Sequence, residues 1–375
     1  MESHSGYSDG LEGIVKGVIL AGGLAKRLRP LSHTGPKQLV PIANRPALYY
    51  VIGSMVEAGV KDIAVVVSHI EENVTAIRNA VGDGSRWACR VTYIQQDAPR
   101  GVGHAVGLCR EFIGGERFVV YLGDNILKEG IIRFVQEFCK GEADATLLVA
   151  EVDDPTQYGV AVFNEGGELM DVEEKPRHPR SNLAIIGVYM FTPAIFQMID
   201  LVIPEARGEL QITDAIRIML GSKKYKVLAH RIEGWWGDTG TFEAVLNANR
   251  VILSELSREI LGEVAEGATV MGHVKIGRGT RILPGSLIEG PTIIGEDCTI
   301  GPNSYVGSYT SVGDNVIIEG GQIEGSVICS NVKITHNWRI TESIIGEFSE
   351  ITFESHHAKG DRLILGSYSR VTRFT

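Results

Sequence analysis

The sequence predicts an α/β protein in two parts: a Rossmann-like, mainly parallel sheet covered by helices, then a left-handed parallel β-helix. Three observations carry this. Short apolar strands alternate with helical patterns through residues 15–241. Isoleucine or valine then recurs at every sixth position. A segment with helical spacing, residues 242–262, stands between the two patterns. The expected organisation is a flexible tail at 1–14, a catalytic domain at 15–241, a connecting helix at 242–262 and the β-helix at 263–375.

The elements follow in order. Residues 14–20 are a short apolar run ending in Ala21-Gly22-Gly23, a strand leading into a glycine turn. Residues 46–58 carry Leu48, Ile52, Met55 and Val56 at helical spacing, and Gly59 supplies a stop. Asp62–Val67 is a second strand and Glu71–Val81 a second helix. Residues 91–94, 118–122 and 145–149 read as further strands, with helices near 102–112 and 131–138 between them. Apolar strands alternating with helices indicate a sheet buried on both faces. Ligands in such sheets bind beyond the carboxyl ends of the strands. Thr241 is placed to cap a helix whose apolar residues are Phe242, Val245, Leu246, Ile252, Leu253, Leu256 and Ile260, with Gly262 ending it.

The period then changes to six. Val270, Ile276, Ile282, Ile288, Ile294, Ile300, Val306, Val312 and Ile318 follow one another without a gap. A hexad fits neither a helix nor an ordinary strand, but it fits one face of a β-helix coil with its Ile or Val on the axis. Gly277, Gly295, Gly301, Gly307 and Gly313 directly follow such residues and suit corners that need backbone freedom. The register slips near Gly320, resumes at Ile328, Ile334 and Ile340, and slips again to Ile345 and Ile351.

Composition excludes several classes. With 44% hydrophobic and 22% charged residues the chain has material for a core and is not disordered in bulk. No apolar run approaches the roughly 18 residues of a membrane span. The polar N-terminus lacks the pattern of a signal peptide, so a cytoplasmic protein is expected. Five scattered cysteines, none at C-x-x-C spacing, indicate neither a zinc site nor a disulfide framework. A net charge of −10 disfavours nucleic acid as a partner. Yet residues 13–56 contain no Asp or Glu and six cations: Lys16, Lys26, Arg27, Arg29, Lys37 and Arg45. Such a local excess of positive charge points to an anion site.

The glycine turn brings backbone N–H groups within reach of phosphates. It is not a P-loop, because no Gly-Lys-Ser/Thr follows. What makes it specific is the company it keeps. Arg27 stands four residues after Gly23, and Pro36-Lys37-Gln38-Leu39 comes next. Further on stand Gln96 with Gly101, Tyr121-Leu122-Gly123-Asp124-Asn125, Tyr158-Gly159-Val160 and Glu173-Glu174-Lys175-Pro176. Gly187-Val188-Tyr189, Arg207-Gly208-Glu209-Leu210-Gln211-Ile212-Thr213-Asp214 and Trp235-Trp236-Gly237-Asp238-Thr239-Gly240 complete the series. In these ordered segments the chain resembles the sugar-1-phosphate nucleotidyltransferases, and within them the long thymidylyltransferase form that carries a hexapeptide-repeat domain.

The resemblance implies transfer of a nucleoside monophosphate from a triphosphate, dTTP, to glucose-1-phosphate, releasing pyrophosphate. Reactions of this type need in-line positioning and charge neutralisation more than covalent catalysis. It further implies that Asp124 and Asp238 hold Mg²⁺ and that Arg27 and Lys37 contact the triphosphate. Leu20, Ala21, Gly22, Gly23, Gln96 and Gly101 would surround the nucleotide, the Gln96 amide pairing with a pyrimidine edge. Glu174 would accept sugar hydroxyls, Lys175 and Arg207 would hold the sugar phosphate, and Tyr158, Gly159, Gly187 and Tyr189 would shape the sugar pocket. A homo-oligomer is also implied.

Other readings use the same residues. Asp124 also reads as a turn cap and Asp238 as a cap for the helix that follows. Hexad β-helices occur in acyltransferases that use a histidine base, for which His273, His336, His356 and His357 are available. A weakly catalytic regulatory paralogue, or transfer from UTP or to another sugar-1-phosphate, would also fit. The chain departs from the family's Gly-x-Gly-Thr-Arg loop, carrying Ala25 and Lys26 where Gly and Thr are usual. Ala25→Gly combined with Lys26→Thr is expected to preserve or raise the rate of pyrophosphate release. A large loss would show that this loop has a working geometry of its own.

Overall fold

In the computed structural model the valine-rich strands pair at the centre of a nine-stranded sheet. The structure describes residues 15–23, 26–33, 35–204, 208–335 and 338–352. The expected tail at 1–14, Ala25, Arg207, His336, His356 and His357 lie outside them, as does the side chain of Lys26. The chain divides into two units: Met1–Leu24 with Ala47–Asp238, and Ala25–Pro46 with Thr239–Thr375. Among the described residues, no helix is long and apolar enough to cross a membrane.

The sheet of the first unit comprises β1 (Val15–Ala21), β2 (Asp62–Val67), β3 (Arg90–Gln95), β4 (Arg117–Leu122), β5 (Ala145–Glu151), β6 (Gly159–Phe163), β7 (Leu169–Glu174), β8 (Leu183–Phe191) and β9 (Val227–Arg231). The order is β7-β6-β8-β4-β1-β2-β3, with β5 pairing β8 on its other side and β9 pairing β5. β4, β1, β2 and β3 are mutually parallel. β8 runs antiparallel to β4, so the sheet is mixed around a parallel centre. Val18 and Ile19 of β1 are wholly buried, as a strand covered on both faces requires.

Helices pack on this sheet in the expected places. α1 (Ala47–Glu57) buries Leu48, Val51, Ile52 and Met55. Gly59, with φ at +85°, closes it: Gly59 N–H donates to Val56 and Val60 N–H to Met55, a Schellman ending. α2 (Glu71–Val81) follows as the sequence predicts. The predicted helix at 102–112 is two, α3 (Val102–Gly107) and α4 (Arg110–Ile113). Cys109 N–H bonds Val106, three residues back, and this tighter turn interrupts the α ladder. α5 (Ile132–Lys140), α6 (Ala194–Leu201) and α7 (Ile212–Gly221) complete the unit.

In the second unit α8 (Phe242–Leu253) begins at Thr241, whose hydroxyl accepts from Ala244 N–H. The helix ends at Leu253, short of the predicted Gly262. Glu255 and Leu256 donate three residues back, and Glu259–Ile260 already pairs with Val274–Ile276. Ile260, which continues the helical spacing, is therefore an axis residue of the first coil, opposite Ile276.

The coils form a left-handed parallel β-helix with sheets of six, six and five strands among the described residues. Ile276 lies under Ile294 and Ile294 under Val312, a coil of 18 residues. Val306 pairs with Ile323 and Val312 with Ile328, so the coil contracts to 17 and then 16 residues. The hexad reading missed Ile323, which is wholly buried on the axis after a five-residue step. Of the five glycines predicted at corners, Gly301, with φ at +106°, has the backbone freedom expected, while Gly277 and Gly295 serve a different need. A Cβ on Gly277 would lie 2.4 Å from the Gly295 carbonyl oxygen, and one on Gly295 would lie 2.7 Å from that of Gly313. These glycines permit close stacking of coils. The left-handed backbone is found two residues later, at Gly279, Asp297, Asn315 and Asn331. Those residue types tolerate it best.

The segment Ala25–Pro46, placed by sequence in the first domain, groups with the second unit. Its hairpin, Pro41–Ile42 against Arg45–Pro46, turns through Ala43 and Asn44, both with positive φ. Asn249 of α8 is wholly buried. Its Oδ1 accepts from Ala43 N–H at 2.8 Å and its Nδ2 donates to the Tyr309 carbonyl at 3.1 Å. Asn44 Nδ2 donates to the Val312 carbonyl at 2.6 Å. Asn249→Leu keeps the branching and the number of side-chain heavy atoms but leaves the buried Ala43 N–H and Tyr309 carbonyl unpaired. It should cost about 2–4 kcal/mol in stability, read as a lower denaturant midpoint. An unchanged midpoint would show that the bridge does not hold the hairpin.

Candidate active site

Parallel pairing places the chain ends of β1, β2, β3 and β4 on one edge. Ala21 lies opposite Val67, Val67 opposite Gln95, and Leu20 opposite Leu122. Leu20, Ala21, Gly22, Gly23, Gln96 and Asp124 therefore all stand at or just beyond that edge. Gly123 N–H donates to the Leu20 carbonyl, tying the two turns together at 2.9 Å.

At one end of the edge stands Gln96, 6% exposed. A Cβ on Gly22 would meet its Oε1 at 3.0 Å, so glycine is what lets the amide approach this backbone. Gln96 Nε2 lies 3.0 Å from His104 Nδ1 on α3. Gly101 precedes α3 with φ at +92°, and a Cβ there would lie 2.5 Å from the Leu210 carbonyl oxygen. Leu210 N–H in turn bonds Arg100 and its carbonyl accepts from Gly103 N–H. The loop between β3 and α3 is thus pinned to the segment before α7.

Asp124 marks the middle of the edge. Only 5% of it is exposed, and Asn125 Nδ2 donates to its Oδ1 at 3.3 Å. Asn125 opens the short strand Asn125–Leu127, which pairs antiparallel with Trp236–Asp238, Asp238 falling opposite Asn125. Trp236 Nε1 donates to Asn125 Oδ1 at 2.8 Å. Asp238 is thus a strand residue, and the cap of α8 is Thr241. A near-buried carboxylate costs free energy unless something compensates its charge. The two aspartates, one residue out of register on paired strands, suit a hard divalent cation that keeps most of its waters. Among the described residues no three His, Cys, Asp or Glu side chains cluster as a complete metal cage would need.

The other end of the edge carries Tyr158, Gly159, Glu174 and Lys175. Glu174 pairs with Gly159 across β7 and β6. Its Oε2 accepts from Thr213 Oγ1 at 2.9 Å and its Oε1 lies 3.1 Å from Lys175 Nζ. A Cβ on Gly159 would come within 2.8 Å of Thr213 and 3.3 Å of Glu174 Oε2, so a side chain there would displace both. Lys175 has φ at +40°, unusual for a residue with a side chain and typical of strained functional loops. The Tyr158 ring meets Trp236 edge-on at 5.5 Å, linking this end to Asn125 and Asp124. Gly187 sits at an irregularity in β8 with φ at +71°, where a Cβ would lie 2.6 Å from the Leu122 side chain. Tyr189 is core: its ring stacks on Phe191, and burial, with Glu174 nearby, holds its hydroxyl well above the usual titration range. Burial first, then Glu174, likewise raises the Asp214 carboxyl.

Arg27 is exposed in the turn Lys26–Leu28, and Lys37 begins the turn Lys37–Leu39, both in the second unit. Beside Lys37, Gln38 is 1% exposed, with no hydrogen-bond partner for Oε1 among the described residues. Arg207 lies outside the described residues. The sequence reading gave no roles to Asn125, Trp236, Thr213 or His104. The first three stand inside the quoted motifs, and His104 carries no motif signal of its own.

Comparison with known proteins fits this geometry. Residues 16–255 match the nucleotidyl transferase family, and residues 288–373 match the GMPPB C-terminal domain. The chain is 42% identical to the low-salt glycan biosynthesis nucleotidyltransferase Agl11 of Haloferax volcanii over 95% of this chain and 99% of that protein. It is 40% identical to the glucose-1-phosphate thymidylyltransferase of Streptomyces antibioticus, again over 95% and 99%. A UDP-glucose pyrophosphorylase solved with UDP-glucose superposes with a TM-score of 0.57 at 28% identity, covering 64% of this chain and 99% of that one.

Gly101→Ala should shift the β3–α3 loop, because the added Cβ can neither adopt this φ comfortably nor clear Leu210. The expected result is a stability loss of about 1–3 kcal/mol and weaker nucleotide binding, measured by melting and by calorimetric titration. Unaltered binding would separate this loop from the nucleotide.

Proposed function

Because the chain belongs to the nucleotidyl transferase family and acts as a sugar-1-phosphate nucleotidyltransferase, we propose that its triphosphate is dTTP and its acceptor glucose-1-phosphate. The products are then dTDP-glucose and pyrophosphate. The observation that carries this reading is the order of groups along one sheet edge. An amide against bare backbone stands at one end, a near-buried carboxylate in the middle, and a hydroxyl-accepting carboxylate beside an ammonium at the other.

In this reading Leu20, Ala21, Gly22, Gly23, Gln96 and Gly101 surround the nucleotide. The Gln96 amide takes the base edge, offering an acceptor and a donor. Glu174, oriented by Thr213 and Lys175, accepts hydroxyls of the sugar. Lys175 and Arg207 hold its phosphate. Gly159 leaves room for Glu174, while Tyr158, with Gly187 and Tyr189 behind it, bounds the sugar pocket. We assign Arg27 and Lys37 to the triphosphate from their motif and from the excess of positive charge around them. Arginine grips two phosphate oxygens and lysine acts as a point charge.

The sugar-phosphate oxygen is already anionic, so no general base is needed. It attacks the α-phosphorus in line, its P–O bond forming as the bond to the β-phosphate bridge breaks and pyrophosphate leaves. Asp124 and Asp238 would hold Mg²⁺, which when bound neutralises charge on the phosphates. Asn125 and Trp236 keep Asp124 oriented for that role.

The Gln96 amide favours a second substrate within the same mechanism: uracil shares the N3–H and both carbonyls of thymine, so UTP competes on equal terms at that contact. We read the β-helix as an assembly element of a cytoplasmic homo-oligomer. His273, the described histidine offered for acyl transfer, is exposed. Turnover of acetyl-CoA with an amino-sugar phosphate would overturn the assembly reading.

The test is pyrophosphate release with Mg²⁺, crossing dTTP, UTP, CTP and GTP with glucose-1-phosphate and N-acetylglucosamine-1-phosphate. Highest kcat/KM for dTTP with glucose-1-phosphate is expected, with a loss of about 100-fold or more in Asp124→Ala. A different preferred pair would correct the specificity, and no release from any pair would overturn the assignment.

A further inference from the structure

The groups around Gln96 do more than bury it. Its backbone N–H is tied to the Val67 carbonyl at 2.9 Å, so the chain position is set by the sheet and only the side-chain amide is left to choose an orientation. That amide lies against His104 Nδ1 at 3.0 Å, with Nε2 toward the ring and Oε1 toward the Gly22 backbone. The other ring nitrogen, His104 Nε2, faces Asp97 Oδ1 at 3.7 Å, and Asp97 is also paired with Arg100 at 2.7 Å. A carboxylate on that side favours the tautomer with its proton on Nε2. Nδ1 then presents a lone pair, which accepts from Gln96 Nε2.

The alternative orientation is disfavoured twice over. Turning the amide would set Oε1 against the Nδ1 lone pair. Moving the ring proton to relieve that clash would set a bare Nε2 against the Asp97 carboxylate. The first arrangement sets two acceptors face to face at Gln96, which is only 6% exposed, and the second sets the ring's bare nitrogen against a carboxylate that lies 59% open to solvent and so weighs less.

We propose that His104 is a positioning residue that sets base selection: it fixes the Gln96 amide so that the pocket accepts a pyrimidine carrying N3–H and rejects one whose N3 is bare. This rests on the reading of Gln96 as the base contact. With one Nε2 hydrogen committed to His104, the amide offers Oε1 and the remaining N–H. Oε1 accepts from N3–H of thymine or uracil, and the N–H donates to a neighbouring carbonyl. Cytosine presents a lone pair at N3 and meets Oε1 as a second acceptor.

The experiment compares kcat/KM for dTTP and dCTP, each with glucose-1-phosphate, in the intact protein and in His104→Leu, His104→Asn and Gln96→Ala. UTP and CTP replace them if the protein prefers ribonucleotides, and calorimetric binding supplies the same ratio for any variant too slow to assay. His104→Leu frees the amide to turn and should lower the dTTP-to-dCTP ratio about tenfold, the worth of one misdirected hydrogen bond. His104→Asn sets an amide oxygen where Nδ1 stands and should restore the ratio to within about threefold, which a purely structural role for the ring would not produce. Melting curves report folding separately. An unchanged ratio in His104→Leu overturns the proposal while leaving the base contact intact. An unchanged ratio in Gln96→Ala removes the base contact itself and the proposal with it.

Discussion

Parallel pairing at the centre of the first unit is the constraint on which everything at the candidate site depends. A crossover between parallel strands returns the chain to the same starting edge, so successive strands end together. Four separate turns thereby acquire a common line without any contact between their side chains. The residues beyond those ends are freed from the sheet's hydrogen-bond ladder, and chemistry is placed there because the backbone no longer dictates what the side chains do.

The unusual backbone positions follow the same line. Gly101, Lys175 and Gly187 all have positive φ, and the two glycines sit where two segments approach more closely than a side chain would allow. Gly101 brings the loop after β3 onto Leu210, and Gly187 brings β8 onto Leu122. Such positions persist only when the surrounding packing fixes them. Here the packing is supplied by buried strands on one side and by the Tyr158–Trp236–Asn125 chain on the other.

How much could be read beforehand depended on whether a residue's role followed from a repeating pattern. After its opening aspartate the strand Asp62–Val67 is an unbroken run of Val, Ile and Ala, and only burial on two faces asks for that. The hexad exposed the β-helix for the same reason. Ile323 escaped because two five-residue steps move it off the grid while leaving it on the axis. Ile260 misled because its distance from Leu256 suits a helix as well as a coil. Asn249 and His104 carry no local signal at all. A polar residue within helical spacing looks solvent-facing until the tertiary structure supplies its partners, and for Asn249 those partners lie 206 and 60 residues away. Motif matches named the residues that would touch ligand, but were silent on what orients them.

The variable coil length bears on how this domain tolerates change over evolutionary time. Contraction from 18 to 16 residues leaves Val312 paired with Ile328 and Ile318 with Ile334. Length is absorbed at the corners, beside Gly320, Gly321 and Gly325, all with positive φ. A deletion or insertion at such a corner alters one loop, whereas the same change within a three-residue face reverses which side chains point inward from there on. The lineage of this chain can therefore gain and lose single residues at its corners and whole coils along its axis, while the faces themselves admit only substitutions.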